Sequence, residues 1–284
     1  MSYLISITAL WAFSFSLIGV YLAGQVDSWF AAWSRVLLAC CVLVPFIRPQ
    51  RLNQQHKLAL MSIGAIQIGL MYGFYYQSFL YLSVPEVLLF TVMTPIYITL
   101  IHDAINKTFH WRYLVVALLA VFGAVVIRYE PLDSAYWTGI LLVQGANLCF
   151  ATGQVWYKHL DKSLNIKHTE RFAWFFIGAL IISSIGLLLF GNITKLPTTV
   201  TQWSVIVYLG LIASGVGYLA WNKGATLVSV GTLAVMNNAL IPAGILVNIL
   251  IWNKPSEPLR LALGSAMIVL ALMVDWRINQ SRRV

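Results

Sequence analysis

The stretch from Trp221 to Ile251 most constrains how this chain can fold, because it is almost wholly apolar and long enough to cross a lipid bilayer. It nevertheless carries Asn237 and Asn238 at its centre, with Pro242 shortly after them. Two amides and a proline at the depth of the bilayer are unfavourable unless they face protein, water or a ligand. We therefore expect a membrane helix that contributes to an internal site.

The composition indicates a membrane protein built from helices. Of the 284 residues, 60% are hydrophobic and 10% are charged, whereas soluble proteins contain about 25% charged residues. The apolar runs have the length of a helical span, about 20 residues, and lack the alternation over about 10 residues that marks a barrel strand. The net charge of +9 favours loops that face the cytoplasm over a nucleic-acid partner. Cys40, Cys41 and Cys149 lie in apolar segments and are predicted to be buried thiols.

Ten membrane helices are predicted from the apolar runs and the turn residues between them. They span residues 3–23, 29–47, 58–81, 86–105, 112–129, 137–157, 171–190, 203–222, 231–251 and 259–276. If the N-terminus is cytoplasmic, 13 of the 18 lysines and arginines lie in cytoplasmic segments, four lie in outer segments and Arg35 lies within a span. This asymmetry predicts that both termini are cytoplasmic. The longest connection, about 158–170, reads as a polar linker.

An internal repeat accompanies the helix count. Residues 203–227 follow residues 58–82 at an offset of 145, and Pro242 follows Pro95 at an offset of 147. The copies hold five predicted helices each, so residues 1–130 and 131–284 are expected to be two domains. An odd number of helices inverts the second copy in the membrane, which gives the pseudo-two-fold arrangement common among secondary transporters.

Arg35 is the sharpest single signal for a site. It lies about six residues inside the second predicted helix, where a cation must reach the interface, pair with an acid or face a cavity. One interpretation is that Arg35 binds an anionic substrate group through a bidentate contact. The other is that it snorkels to the interface or pairs with Glu86. Glu86 itself follows Pro85 and is read either as a first-turn acid favoured by the helix dipole or as a proton-coupling carboxylate.

The two central asparagines are the next candidates. Helix capping does not explain Asn237 and Asn238, because both lie in the middle of a segment. Neighbouring side chains on a helix point about 100° apart, so at least one of them is expected to face a central cavity. An amide offers both a donor and an acceptor, which suits a neutral urea or amide group. The alternative is a hydrogen bond between helices.

Aromatic and polar side chains at helical spacing complete the candidate site. Trp11, Tyr72 and Tyr97 lie deep in their predicted helices and are expected to pack against a substrate, and Gln67 and Asn147 are expected to add polar contacts. Other aromatic residues near helix ends, including Trp221, are interpreted as members of the interfacial belt. Glycines such as Gly64 are interpreted as helix contacts.

The sequence lacks the motifs of soluble enzymes. It contains no HExxH, CxxC, P-loop or GxSxG pattern, and its five histidines are scattered. We therefore expect no catalytic residues, no metal, no cofactor and no drive by ATP within this chain. The expected partners are a small-molecule substrate and the lipid bilayer, with protons as a further candidate.

Several stretches in order along the chain resemble a known family. They are LWAFSFSLIGVYLAGQVDSWFA, LLFTVMTPIYITLI, GAVVIRY, GILLVQGANLCFA, FAWFFIGA and NNALIPAGILVN. Together with the helix count, they resemble the EamA family of the drug/metabolite transporter superfamily, and within it bacterial biotin transporters of the carboxylate, amino acid and amine type. The similarity runs from about Leu4 to Trp252 and thins in the loops.

The resemblance implies a secondary transporter of the bacterial inner membrane that takes up a small metabolite, with biotin as the expected substrate. Two alternatives stay open at this stage. One is an exporter of amino acids, amines or drugs with the same fold, because a fold does not fix substrate or direction. The other is an intramembrane enzyme or a receptor-like protein, which the lack of paired acids and bases at membrane depth disfavours.

Overall fold

The structure, a computed structural model, describes residues 1–48, 52–109, 134–164 and 166–252, with residues 111, 115, 118–119, 122, 259, 263, 266–267, 270, 273–274 and 277. All regular secondary structure in this part of the chain is helical. Its eight long helices are α1 (Ser2–Leu22), α2 (Ser28–Phe46), α3 (Gln54–Ser78), α4 (Val84–Asn106), α5 (Ser134–Asp161), α6 (His168–Phe190), α7 (Val200–Thr226) and α8 (Val230–Trp252). The predicted helices 112–129 and 259–276 lie largely outside the described residues.

Seven of these eight helices are long and apolar enough to cross a membrane. The exception is α5, whose apolar run is interrupted by Gln144, Asn147 and Gln154. The same side chains bring α5 close to the centre of the molecule, where all three form hydrogen bonds with other helices. The helix that looks least like a membrane span therefore contributes polar side chains to the contacts between helices at the centre.

The described helices form a ring in which early and late helices alternate. The helix α1 packs on α7 and α8, α2 packs on α6 and α7, α3 packs on α5 and α6, and α4 packs on α5 and α8. Each of the first four helices thus has its main neighbours among the last four. If α1, α2, α3 and α4 are exchanged with α5, α6, α7 and α8, respectively, the same pairs of neighbouring helices result. We call residues 1–130 the N-terminal half and residues 131–284 the C-terminal half.

Irregular backbone recurs at the offsets of the sequence repeat. The helix α3 contains a π-helical segment at Ala65–Leu70, and α7 contains one at Tyr208–Val216. The helix α4 tightens into a 3-10 turn at Thr91–Met93, before Pro95, and α8 is interrupted at Ala239, before Pro242. Proline has no N–H and removes a hydrogen bond to the carbonyl four residues earlier. The two prolines therefore account for breaks at equivalent places.

Glycines allow α3 and α6 to cross closely. A Cβ added at Gly64 would collide with the backbone carbonyl of Phe175, and one added at Gly178 would collide with that of Met61. The prediction that Gly64 is a helix contact is confirmed. Small residues are common at helix contacts in membrane proteins. Within a bilayer the hydrophobic effect does not drive helices together, so their association depends on close van der Waals packing.

The polar linker is shorter than predicted. The helix α5 continues to Asp161 and α6 begins at His168. Arg171 forms an ion pair with Asp161 and donates a hydrogen bond to the carbonyl of Leu164, so the two helix ends are tied together across the linker. Lys158 donates to the carbonyl of Ala225 at the end of α7, where a cation complements the helix dipole.

The cysteines are free in the structure. Cys40 is buried, as predicted, and Cys149 is half-buried. The prediction was wrong for Cys41, which is exposed on the outside of α2. Adjacent positions on a helix point about 100° apart, so only one of two neighbouring cysteines faces the packed side.

Candidate functional site

A cavity of about 710 Å³, counting its mouth, lies in the middle of the ring of helices. Side chains from seven of the eight described helices line it, and α6 is the exception. The lining consists of Thr8, Trp11, Ser14, Phe15, Ile18, Arg35, Met71, Tyr72, Tyr75, Thr91, Thr94, Ala146, Asn147, Phe150, Tyr218, Trp221, Asn237 and Leu240.

One face of α1 runs along the cavity. Its lining residues extend from Thr8 to Ile18 at spacings of three and four residues, which places them on one side of a helix. At 1.5 Å per residue this face is about 15 Å long. The lining of the cavity therefore follows α1 over this length.

Arg35 provides the positive charge of the cavity. Its side chain is 3% exposed, its Nε donates to Ser214 Oγ at 2.5 Å, and its Nη1 donates to Tyr76 Oη at 3.4 Å. The guanidinium carbon lies 4.2 Å from the centre of the Tyr72 ring, a cation–π contact that stabilises a desolvated cation. None of these hydrogen bonds uses Nη2, and no carboxylate among the described residues pairs with Arg35. The alternative of a pair with Glu86 is therefore wrong.

Aromatic rings form the wall next to this charge. The Trp11 ring lies 4.9 Å from Trp221, 4.8 Å from Tyr218 and 5.9 Å from Phe150, measured between ring centres. The Trp11 indole N–H donates to the carbonyl of Ala213 at 2.9 Å, which fixes the ring in the wall of the cavity. A wall of this kind packs against apolar or planar parts of a ligand.

A neutral group of amides forms another part of the lining. Asn237 and Gln154 exchange hydrogen bonds at 3.3 Å, and the Trp221 indole N–H donates to Gln154 Oε1 at 3.1 Å. Asn237 Nδ2 also donates to the carbonyl of Leu233 at 2.8 Å. On another wall, Asn147 Nδ2 donates to the carbonyl of Phe90 at 2.8 Å, beside the 3-10 turn of α4. Asn237 and Asn147 line the cavity and retain acceptor capacity that a ligand N–H group can use.

Three predicted site residues lie outside the cavity lining. Asn238 is fully buried against α4, where its Nδ2 donates to the carbonyl of Val92 at 3.4 Å. Gln67 is also fully buried, and its Nε2 donates to Asn222 Oδ1 at 3.2 Å. Tyr97 is partly buried and donates to Gln144 Oε1 at 3.2 Å. All three side chains join the two halves of the chain.

Glu86 caps the first turn of α4. Its Oε2 accepts hydrogen bonds from the backbone N–H and from the hydroxyl of Ser83, both at 2.6 Å. This is a capping box, in which the acid satisfies an otherwise unpaired N–H group at the helix start. Glu86 does not line the cavity. Its role in coupling stays a prediction.

The sequence interpretation missed some residues of the site. Trp221 was assigned to the interfacial belt, but it is 1% exposed and lines the cavity. Position near a helix end was a misleading signal because α7 continues to Thr226 and places Trp221 a turn deeper. Ser214 was not singled out at all, since a serine in an apolar helix is common. Its importance arises only from Arg35, which lies 179 residues earlier.

The fold and cavity define a polytopic helical membrane protein with a central small-molecule site. The chain belongs to the EamA-like transporter family, which it matches over residues 1–129 and 137–274. It is therefore a multi-pass protein of the bacterial inner membrane and a transporter rather than an enzyme. No group of three or more histidines, cysteines, aspartates or glutamates suited to a metal occurs among the residues that the structure describes.

Curated relatives cover nearly the whole chain. A biotin transporter of Salmonella typhimurium strain LT2 is 48% identical over 275 residues, which span 96% of this chain and 92% of the relative. A probable biotin transporter of Pseudomonas aeruginosa is 48% identical over 277 residues and 97% of both chains. The Escherichia coli K12 biotin transporter is 47% identical over 275 residues, again 96% and 92%. A solved crystal structure of a protein 18% identical to this chain has a TM-score of 0.75 over 96% of both chains, which shows the fold alone.

Proposed function

We propose that this protein is a secondary transporter that takes up biotin across the inner membrane. The observation that carries the substrate class is Arg35, a buried cation that lines the cavity and is paired with no described carboxylate. A buried charge without a counter-ion is unfavourable, and an anionic substrate would supply the missing partner. Near full-length relatives named as biotin transporters support biotin among small carboxylates.

The lining matches the parts of biotin. Biotin carries a carboxylate on an aliphatic chain and a fused ring with a ureido group, so it is an elongated molecule with one charged and one neutral polar end. Arg35 would hold the carboxylate through Nη2, and the rings of Trp11 and Tyr72 would pack on the aliphatic and ring parts. Asn237 and Asn147 would bind the ureido group. Gln67, Asn238 and Tyr97 would act from behind the lining, by holding helices together.

Alternating access is the transport mechanism that this architecture supports. We infer two inverted five-helix halves with both termini in the cytoplasm, completed by helices at 112–129 and 259–276. Three observations support it: the exchange of neighbours around the ring, the irregular segments at the repeat offsets, and the family match in two successive stretches. The two halves would rock around the cavity between them.

The decisive experiment is radiolabelled biotin uptake at nanomolar concentration, in cells that lack their own biotin importer. Saturable uptake that depends on this chain supports the proposal. If the protein reaches the membrane and no uptake occurs, biotin import is refuted. Efflux from preloaded cells, with a panel of carboxylates and amino acids, then tests the exporter alternative.

Proton coupling through Glu86 has its own test. In Glu86→Gln the amide can still complete the capping box, so the helix start is retained while the ionisable group is lost. If Glu86 couples protons, the variant should lose the stimulation of uptake by an inward proton gradient while still exchanging biotin across the membrane. Unchanged stimulation would assign Glu86 to capping alone. The stimulation is measured as biotin uptake into proteoliposomes with and without an imposed pH gradient.

A further inference from the structure

Three cavity-lining side chains of the N-terminal half converge on one dipeptide of the C-terminal half. The Trp11 indole N–H donates to the carbonyl of Ala213 at 2.9 Å. Arg35 Nε donates to Ser214 Oγ at 2.5 Å, and the Tyr72 hydroxyl lies 2.8 Å from the same oxygen. These side chains come from α1, α2 and α3. Their partners are consecutive residues of α7.

The dipeptide lies in the π-helical segment Tyr208–Val216. π-Helical turns are rare and often occur at functional sites, where they open the regular hydrogen-bond ladder. Small residues let this segment approach α2: a Cβ added at Gly210 would lie 2.7 Å from Leu38 Cβ. The close approach is what allows the short side chain of Ser214 to reach Arg35.

Ser214 connects the C-terminal half directly to the charge in the cavity. It is fully buried, and its one hydroxyl serves both Arg35 and Tyr72. A hydroxyl has one donor and two acceptor positions, so Ser214 accepts from Arg35 and either donates to Tyr72 or accepts from it. The other hydrogen bond of Arg35 goes to Tyr76, within its own half. A substrate carboxylate at Nη2 would therefore share the guanidinium with Ser214.

We propose that Ser214 is a positioning residue that couples occupation of the cavity to movement of α7, an inference that rests on the proposed function. A carboxylate bound to Arg35 draws the guanidinium toward the cavity and changes the hydrogen bond that Arg35 Nε donates to Ser214. Tyr72 responds because it shares the same oxygen, and Trp11 holds the adjacent carbonyl. A ligand shifts a conformational equilibrium only through contacts that differ between the two states. The contacts at Ser214 cross between the halves and provide such a difference.

The proposal predicts that Ser214 governs the rate of transport more than the strength of binding. In Ser214→Ala, the maximal rate of biotin uptake into proteoliposomes should fall about tenfold, a typical size for coupling between sites. The equilibrium Kd for biotin should change by less than about threefold, because Nη2 remains available. In Tyr72→Phe, the ring under Arg35 is kept and one bond to Ser214 is lost, so a smaller fall in rate is expected.

Ser183→Ala is the matched control. Ser183 is also buried, but its hydroxyl donates to the carbonyl of Leu180 within α6, away from the cavity. This variant should keep both the rate and the Kd of the wild type. Equal losses of rate in Ser183→Ala and Ser214→Ala would overturn the proposal, because removing any buried serine hydroxyl would then have the same effect.

Hydrogen exchange of the wild type gives a readout that needs no variant. Biotin should change the exchange of peptides that cover residues 208–216, and Ser214→Ala should lose this response while still binding biotin. No response in the wild type, an unchanged rate in Ser214→Ala, or parallel losses of rate and affinity would each overturn the coupling role while biotin transport stands. Absence of biotin binding in the wild type would instead refute the proposed function, and the coupling role with it.

Discussion

The cavity has two polar regions that differ in how their hydrogen bonds are satisfied. Around Arg35, a full charge is held by hydroxyls and an aromatic ring, and no described carboxylate neutralises it. Around Asn237, two amides and an indole form a neutral group whose members satisfy one another. Among the residues that the structure describes, the hydrogen bonds of the second region are nearly all satisfied, whereas the cation of the first region has no carboxylate beside it.

Because of this difference, the two regions are expected to select different parts of a substrate. A buried charge without a partner favours an anion strongly, because binding removes an existing penalty. A satisfied neutral network adds less free energy, since a ligand exchanges one hydrogen bond for another. We therefore expect the Arg35 region to dominate affinity and the Asn237 region to refine the choice among anions.

Arg35→Ala should give the largest effect. The loss of a charge-assisted contact worth about 1.5–3 kcal/mol would raise the Kd for biotin roughly 10- to 150-fold. The check is a double comparison with a neutral ester of biotin, whose binding should be weak in the wild type and little changed in the variant. If the variant weakens biotin and its ester equally, Arg35 does not bind the carboxylate.

Asn237→Ala and Asn238→Ala should separate binding from stability. Asn237 lines the cavity, so its loss should raise the KM for uptake by about tenfold, the equivalent of 1.4 kcal/mol. Asn238 lies behind the lining and bonds to α4, so its loss should lower the melting temperature and leave KM unchanged. Uptake kinetics give KM, and thermal unfolding of the purified variants gives the melting temperature. If Asn238→Ala raises KM and Asn237→Ala lowers only the melting temperature, Asn238 belongs to the site instead.

Trp221→Phe should give the smallest effect of the three. The ring wall is kept, and only the indole N–H that donates to Gln154 is lost. A neutral hydrogen bond contributes about 1 kcal/mol, so a change of about two- to fivefold in Kd is expected. A loss as large as that of Arg35→Ala would mean that the neutral region is as important as the charged one. Equilibrium binding of labelled biotin to the two variants decides between these outcomes.

The sequence predicts the helices of this protein better than their arrangement. Apolar runs and turn residues placed all eight described helices, because the bilayer forces helices of a given length. The π-helical segment of α7 had no signal, since its residues are as apolar as those of a regular helix. The order of neighbours around the ring also depends on side-chain packing between distant segments.

The candidate site shows the same limit. Five of the predicted site residues line the cavity: Arg35, Trp11, Tyr72, Asn147 and Asn237. They could be predicted because polar or large aromatic groups at membrane depth usually have a structural or functional role. Their binding of substrate stays a prediction. Asn237 and Asn238 could not be told apart, because the rotation of α8 decides which of them faces inward.

The alternation of helices around the ring affects how the chain is inserted into the membrane during its synthesis. Among the described helices, each of the first four has its main neighbours in the second half of the chain. Ser214, the hydrogen-bond partner of Arg35 in that half, lies 179 residues downstream. At about 5–20 residues per second, roughly 10 to 35 s of synthesis separates Arg35 from Ser214. During that time α2 carries an exposed cation in or near the membrane, so the nascent chain should depend on the insertion machinery until α7 arrives.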